Sequence, residues 1–179
     1  GLDLGLEISG FETAVCVDND LAAVATIKAN RPLLPVLSKS ISDVTGNELR
    51  EVGGWSRNEP VSLVVGGPPC QSFSVFGNRS GIEDVRGQLI YEFVRIVDEL
   101  RPHVFVMENV RGLLSMSLVP KSQRAKLEIA QLEWTKNGSL VDDIFKRFEH
   151  IGYRVDCFVV NAVNYGAPQL RERLIIIGN

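Results

Sequence analysis

Apolar runs along this chain are short, and most stop at a polar or glycine-rich segment. Residues 3–9 read as the end of an amphipathic helix closed by Gly10. Residues 13–17 read as a buried strand that ends at Asp18-Asn19-Asp20. Asp20 then caps a helix through Asn30, with Pro32 beyond its end. Residues 36–44 give a weak strand and turn, closed by Thr45-Gly46. Residues 62–65 form a continuous apolar strand of the kind expected when both sheet faces are covered. Leu89, Phe93 and Val97 recur at i, i+4, i+8 with Ile90 and Val94 beside them, which predicts a helix over 88–100. Arg101-Pro102 ends it, and 104–107 is the next strand. Residues 121–149 are helical and charged, with a break near Asn137-Gly138, and 154–160 and 173–177 are strands. This alternation predicts an α/β fold: one doubly wound, mostly parallel sheet with helices on both faces, spanning 1–179. Ligands in such sheets bind outside the C-terminal strand ends. The chain opens on a helix, whereas such a domain normally opens on a central strand and a Gly-rich turn. The expectation is a domain lacking its first strand, either a fragment or a protein that receives the strand from elsewhere.

Composition narrows the function classes. No apolar run approaches the roughly 20 residues of a membrane span, and no charged-then-apolar leader opens the chain. Cys16, Cys70 and Cys157 are odd in number and widely spaced, which argues for a reducing compartment and against a disulfide scaffold. There is no Cys-x-x-Cys pair, and His103 and His150 are isolated, so no structural zinc or other metal is expected. The net charge of −3 does not advertise a nucleic-acid partner. A basic surface for DNA would have to be local or lie outside this chain.

Two strand tips carry candidate chemistry. Cys70 sits where a strand opens into a polar loop, after Gly66-Gly67-Pro68-Pro69. The prolines fix φ and stiffen the approach to it. A thiol there can act as a nucleophile, whereas Cys16 and Cys157 lie inside apolar strands and read as structural. Glu108 follows a buried-looking run and could donate or share a proton with a ring nitrogen, with Asn109 holding the local backbone; the alternative is a surface or capping acid. Gln169, Arg171 and Arg173 share one face if they lie in a strand, and two arginines suit a phosphate or a base carbonyl. Charged edge protection explains them equally well. Asp18 and Asp43 close successive strands, where an acid can bond a ribose or face an adenine amine, although aspartates there also serve as turn formers.

The segments Gly-Gly-Pro-Pro-Cys-Gln-Ser-Phe-Ser (66–74), Gly-Ile-Glu-Asp-Val-Arg-Gly (81–87), Met-Glu-Asn-Val (107–110) and Asn-Tyr-Gly-Ala-Pro-Gln-Leu-Arg-Glu-Arg (164–173) occur in the order seen in one family. The chain closely resembles the DNA cytosine-5 methyltransferases of bacterial restriction-modification systems. The resemblance runs from Gly1 to Asn179 and is weakest across 112–150. It implies a Rossmann-like methyltransferase domain, S-adenosylmethionine as cofactor, double-stranded DNA as partner and a bacterial cytoplasmic, nucleoid-associated location. Cys70 matches the nucleophile that attacks cytosine C6. Glu108 matches the group that engages N3 and the exocyclic amine, and Arg171 and Arg173 match the arginines that support the flipped nucleotide. Asp18 matches the ribose ligand with Asn19 beside the adenine, Asp43 and Val44 match the adenine contacts, and Pro69 and Leu89 match positions lining the cofactor pocket. Gln71, Ser74, Arg79, Arg86 and Gln169 fall at DNA-facing positions, and the loop 72–87 reads as a lid over the DNA.

The departures set the alternatives. The family's opening Phe-x-Gly-x-Gly segment is absent apart from Gly1, and the target-recognition region and final segments lie beyond this stretch. The resemblance therefore implies a catalytic and cofactor-binding portion, with a complementary chain or segment supplying the rest. The family's tRNA-modifying branch keeps the same Pro-Pro-Cys and Glu-Asn-Val segments, so a tRNA substrate is the alternative. A non-catalytic partner or half of a split enzyme is the third reading.

Overall fold

The computed structural model describes residues 1–69, 85–116 and 139–179, with side chains from 89 onward in the second stretch. These residues form two compact units. One comprises Gly1–Val61 with Arg95–Pro102, the other Ser62–Val94 with His103–Asn179.

The first unit contains α1 (Leu2–Ile8), β1 (Cys16–Val17), α2 (Leu21–Asn30), β2 (Val36–Leu37) and α3 (Gly46–Gly53). The strands β1 and β2 pair in parallel, with Cys16 opposite Val36. The Asp20 carboxylate accepts the Ala22 and Ala23 N–H groups at 2.8 and 2.9 Å, the predicted cap of α2. Arg31, just past that helix, pairs with Asp3 and Glu7 and so ties α1 back onto α2. The helix α3 is an addition to the predicted elements. Thr45 caps it by accepting the Glu48 N–H, and Gly54 ends it at φ 79°. The buried apolar residues of this unit are Val24, Val44, Leu49, Val61, Ile96, Val97 and Leu100.

The second unit is a four-stranded sheet in the order β3-β4-β6-β5, made of β3 (Leu63–Gly66), β4 (Val104–Val110), β5 (Val155–Asn161) and β6 (Glu172–Gly178). The helix α4 (Val85–Leu100) precedes β4, and α5 (Leu140–His150) precedes β5. The β3–β4 pair is parallel, as predicted. The β4–β6 and β5–β6 pairs are antiparallel, so the sheet is mixed rather than mostly parallel. The cause is local: β5 and β6 are joined by a short connection with a 3-10 turn at Ala162–Tyr165, which returns the chain alongside itself.

One sheet face is the core. Phe105, Met107 and Asn109 of β4 and Leu174, Ile176 and Gly178 of β6 are buried on it. Phe93 of α4 and Phe148 of α5 both meet Phe105, which stacks on Phe148 at 4.0 Å between ring centroids. Gly178 is needed here because a Cβ at that position would stand 2.0 Å from the Phe105 ring. The helices also meet at Tyr91, where the Arg147 guanidinium lies 4.3 Å from the ring centroid. Burial, followed by a hydrogen bond to Asp143, pushes the Tyr91 phenol up to about 12.

Candidate active site

The alternation of β4 sets the site. Phe105, Met107 and Asn109 point into the core, so Val106, Glu108 and Val110 must point to the opposite face. On β6, Arg173 lies opposite Val110 and Ile175 opposite Glu108, which puts Arg173 diagonally across from Glu108 on that face. The Arg173 Nε lies 2.7 Å from Glu108 Oε1, with side chains 21% and 30% exposed. The remaining carboxylate oxygen faces the end of β3: a Cβ built at Gly67 would lie 3.3 Å from Glu108 Oε2. The two glycines at 66 and 67 thus serve opposite faces. At Gly66 a Cβ would come 2.7 Å from the Phe93 ring in the core.

Asn109 links this strand to the segment that leads into Cys70. Beyond Gly66 the parallel ladder meets Pro68 and Pro69, which have no N–H to donate. The Asn109 side chain takes over: Nδ2 donates to the Pro68 carbonyl at 3.0 Å. Its Oδ1 accepts the Val110 N–H at 2.9 Å. The residue is 4% exposed, so the amide is buried with both ends used. Asn109 is the side chain that fixes the Pro-Pro segment in place.

Asp18 and Asp43 belong to the first unit. Asp18 is half-buried just after β1, and its Oδ1 accepts the Asp20 N–H at 2.9 Å, which orients the carboxylate; Asn19 beside it is exposed. Asp43 is exposed at the end of a 3-10 turn, while Val44 packs inward at 1% exposure. This turn is held by Arg95, whose Nη2 donates to the Ile41 and Val44 carbonyls at 2.9 Å each. Arg95 also pairs with Glu99 at 2.6 Å. Glu99 in turn accepts the Gly46 N–H at the start of α3 at 2.5 Å. Burial raises the Glu99 carboxyl, but Gly46 and Arg95 together outweigh it and hold the group below its ordinary range.

The match to one protein family spans the whole chain: its model, described as C-5 cytosine-specific DNA methylase, covers residues 1–179. The chain belongs to that family. It is 38% identical to the type II methyltransferase M.AquIA of Picosynechococcus, over 100% of this chain and 67% of that protein. It is also 38% identical to M.XorII of Xanthomonas oryzae pv. oryzae, over 99% of this chain and 38% of that protein. A solved E. coli structure, described as a prophage-encoded DNA modification methyltransferase, superimposes with a TM-score of 0.71 at 28% identity. It covers 99% of this chain and 42% of its own. The Dnmt2 methyltransferase of S. pombe shares the fold at a TM-score of 0.67 and 18% identity, over 99% of this chain and 46% of its own.

Within this chain the expected residues fall into four groups. Glu108 and Arg173 are brought together. Gln169 and Arg171 are exposed and precede β6, so the three residues do not lie in one strand, the condition for their sharing a face. The reason is Asn161, whose Oδ1 accepts the Arg171 and Val163 N–H groups and holds the connection in a turn. Pro69 is exposed and Leu89 half-buried. Cys70, Gln71, Ser74, Arg79 and the Arg86 side chain lie outside the described residues, as does most of the expected lid. Burial and then Asp3 raise the Cys16 thiol, and burial and then Asp156 raise that of Cys157. Sequence reasoning missed Arg95 and Glu99. Their only sequence signal was an i, i+4 charge pair on a helix, which usually marks a solvated face. Among the described residues, no helix is long and apolar enough to cross a membrane.

Proposed function

We propose that this chain is the catalytic and cofactor-binding part of an enzyme that methylates C5 of a cytosine flipped out of double-stranded DNA, with S-adenosylmethionine as donor. The observation that carries the reading is the Glu108–Arg173 pair, set at the strand end where Asn109 holds the Pro68 carbonyl two residues before Cys70. A base stacked in a duplex cannot present its ring to such a half-buried pair, so the cytosine must be extruded.

Cytosine C5 is a weak nucleophile, and the residues supply its activation. The Cys70 thiolate adds to C6, forming an Sγ–C6 bond, while N3 takes up a proton. The ring becomes enamine-like at C5. Glu108, oriented by Arg173 through Oε1, engages N3 and the exocyclic amine with its other oxygen, where Gly67 leaves room. Bound S-adenosylmethionine supplies an electrophilic methyl group to the activated C5. Loss of the C5 proton to solvent, return of the proton from N3 and cleavage of the Sγ–C6 bond then restore the aromatic ring and free Cys70 as the thiolate. Arg171 supports the flipped nucleotide, and Gln71, Ser74, Arg79, Arg86 and Gln169 contact the DNA.

The first unit fits the cofactor. The Asp18 carboxylate is oriented by the Asp20 N–H and suits a ribose hydroxyl pair. Asn19 and the exposed Asp43 suit the adenine, on a turn that Arg95 braces beside Val44. Pro69 and Leu89 are assigned to the cofactor by the family motif alone. The chain spans 67% and 38% of the two relatives above, so the target-recognition region and the remaining cofactor contacts are assigned to a further segment or a complementary chain. Bacterial DNA in the nucleoid is the expected setting.

The test is turnover by the complete enzyme on duplex DNA and on tRNA. Methylation of DNA but not tRNA, abolished by Cys70→Ala with DNA binding retained, is the expected result. Normal turnover by Cys70→Ala would remove the proposed nucleophile.

A further inference from the structure

A second Arg–Glu pair crosses the same two strands with its charges exchanged. Arg111 follows the last residue of β4 and Glu172 opens β6, and Arg111 Nη1 lies 2.8 Å from Glu172 Oε2. The two pairs differ in exposure. Glu108 and Arg173 are 30% and 21% exposed, whereas Arg111 and Glu172 are 56% and 44% exposed. An exposed pair of this kind is screened by salt and contributes little to folding. It also engages one of the five N–H donors of Arg111, leaving the rest of a fork that suits phosphate oxygens. Beside it is a cavity of about 370 Å³, open to solvent and lined among the described residues by Arg111, Gly112, Leu114 and Ser115.

We propose that Arg111 is a DNA-backbone contact, held by Glu172 in the free enzyme and transferred to a phosphodiester when DNA binds. The inference rests on reading Glu108 as the group that meets the flipped cytosine. Three residues of chain reach at most roughly 10 Å. Arg111 therefore stands at the same end of the sheet as Glu108, and DNA that delivers a base to Glu108 passes that end. The net charge of −3 makes a broad basic surface an unsuitable explanation for DNA affinity, whereas Arg111 and Arg173 both lie at one end of the sheet, on its opposite faces. Glu172 keeps Arg111 partly neutralised until a stronger, multivalent anion arrives.

The test is the salt dependence of duplex binding by the complete enzyme, with DNA methylation and thermal unfolding recorded in parallel. Each phosphate contact contributes about 0.9 to the slope of log K against log salt. Arg111→Ala and Arg111→Gln should reduce the slope by about that amount, and Arg111→Lys should retain it. Glu172→Gln should tighten binding several-fold, but only while Arg111 is present, so the double variant Arg111→Gln/Glu172→Gln should bind like Arg111→Gln. An unchanged slope in Arg111→Gln, with wild-type enzyme binding and methylating DNA, overturns this inference and leaves the proposed function standing. Equal tightening by Glu172→Gln with and without Arg111 also overturns it. A wild-type enzyme that neither binds nor methylates DNA overturns both.

Discussion

Replacing Asn109 tests how the two strand ends are joined. Its Nδ2 bond to the Pro68 carbonyl is 3.0 Å and its Oδ1 bond from the Val110 N–H is 2.9 Å, at a residue 4% exposed. A net hydrogen bond is worth about 1 kcal/mol, and a partner left unsatisfied in the interior costs about 1–3 kcal/mol. Val110 is 42% exposed, so water can replace that bond. The Pro68 carbonyl dominates the loss, and Asn109→Ala should cost about 2–3 kcal/mol in a urea titration of the enzyme. Asn109→Asp is nearly the same shape but sets a carboxylate against a carbonyl oxygen, so its loss should match or exceed that of alanine. The aspartate deficit should shrink as pH falls, because a protonated carboxyl regains a donor. In turnover, kcat should fall more than KM for DNA rises, since the Pro68 segment leads directly into Cys70. A loss below about 0.5 kcal/mol for alanine, or an aspartate variant equal to wild type at neutral pH, would refute the reasoning.

Other outcomes follow from the same geometry. Arg173→Ala should lower kcat at least tenfold, about 1.4 kcal/mol of barrier, with lysine restoring only part because it lacks the Nε geometry; equal activity of the alanine variant contradicts the pairing with Glu108. Gly178→Ala should destabilise by about 3 kcal/mol or more and Gly66→Ala by about 1–3 kcal/mol, through collision with Phe105 and Phe93, read as shifts in the denaturation midpoint. Glu99 is held below its ordinary range in the folded chain, so the folded state binds fewer protons than the unfolded state near pH 4.5. Its stabilising contribution should be present above that pH and lost as pH falls through the lower folded value, and Glu99→Gln should remove this component of the acid profile. Arg95→Ala should raise KM for S-adenosylmethionine with little change in kcat at saturation, because it braces the Asp43 turn; an unchanged KM counts against that role.

Where one local rule dominated, the fold was legible from sequence. Asp20 caps its helix as its type and place suggest, and Ile90, Phe93, Val94 and Val97 are buried as their spacing predicts. The helix α3 was not foreseen, although Thr45 and Glu48 have capping-box spacing, because Thr45-Gly46 also reads as a turn. The antiparallel placement of β6 between β4 and β5 was not legible either. Alternating elements favour parallel pairing, and only the short connection held by Asn161 reverses it. At the site, Glu108 was legible as an acid at a strand tip, and its face was seen only from the alternation of β4. Its partner could be proposed from the motif but needed the β4–β6 register to be seen. Asn109 was read as a local brace, and its reach to Pro68 depends on residues 41 positions apart becoming neighbours.

The most direct test of the central claim is covalent trapping. The complete enzyme, S-adenosylmethionine and a duplex carrying 5-fluorocytosine at its target should give a stable protein–DNA adduct, because fluorine replaces the C5 proton whose loss frees the cysteine. Peptide mapping should place that adduct on Cys70. An adduct on Cys16 or Cys157, or none from an enzyme that methylates ordinary cytosine, would contradict the account.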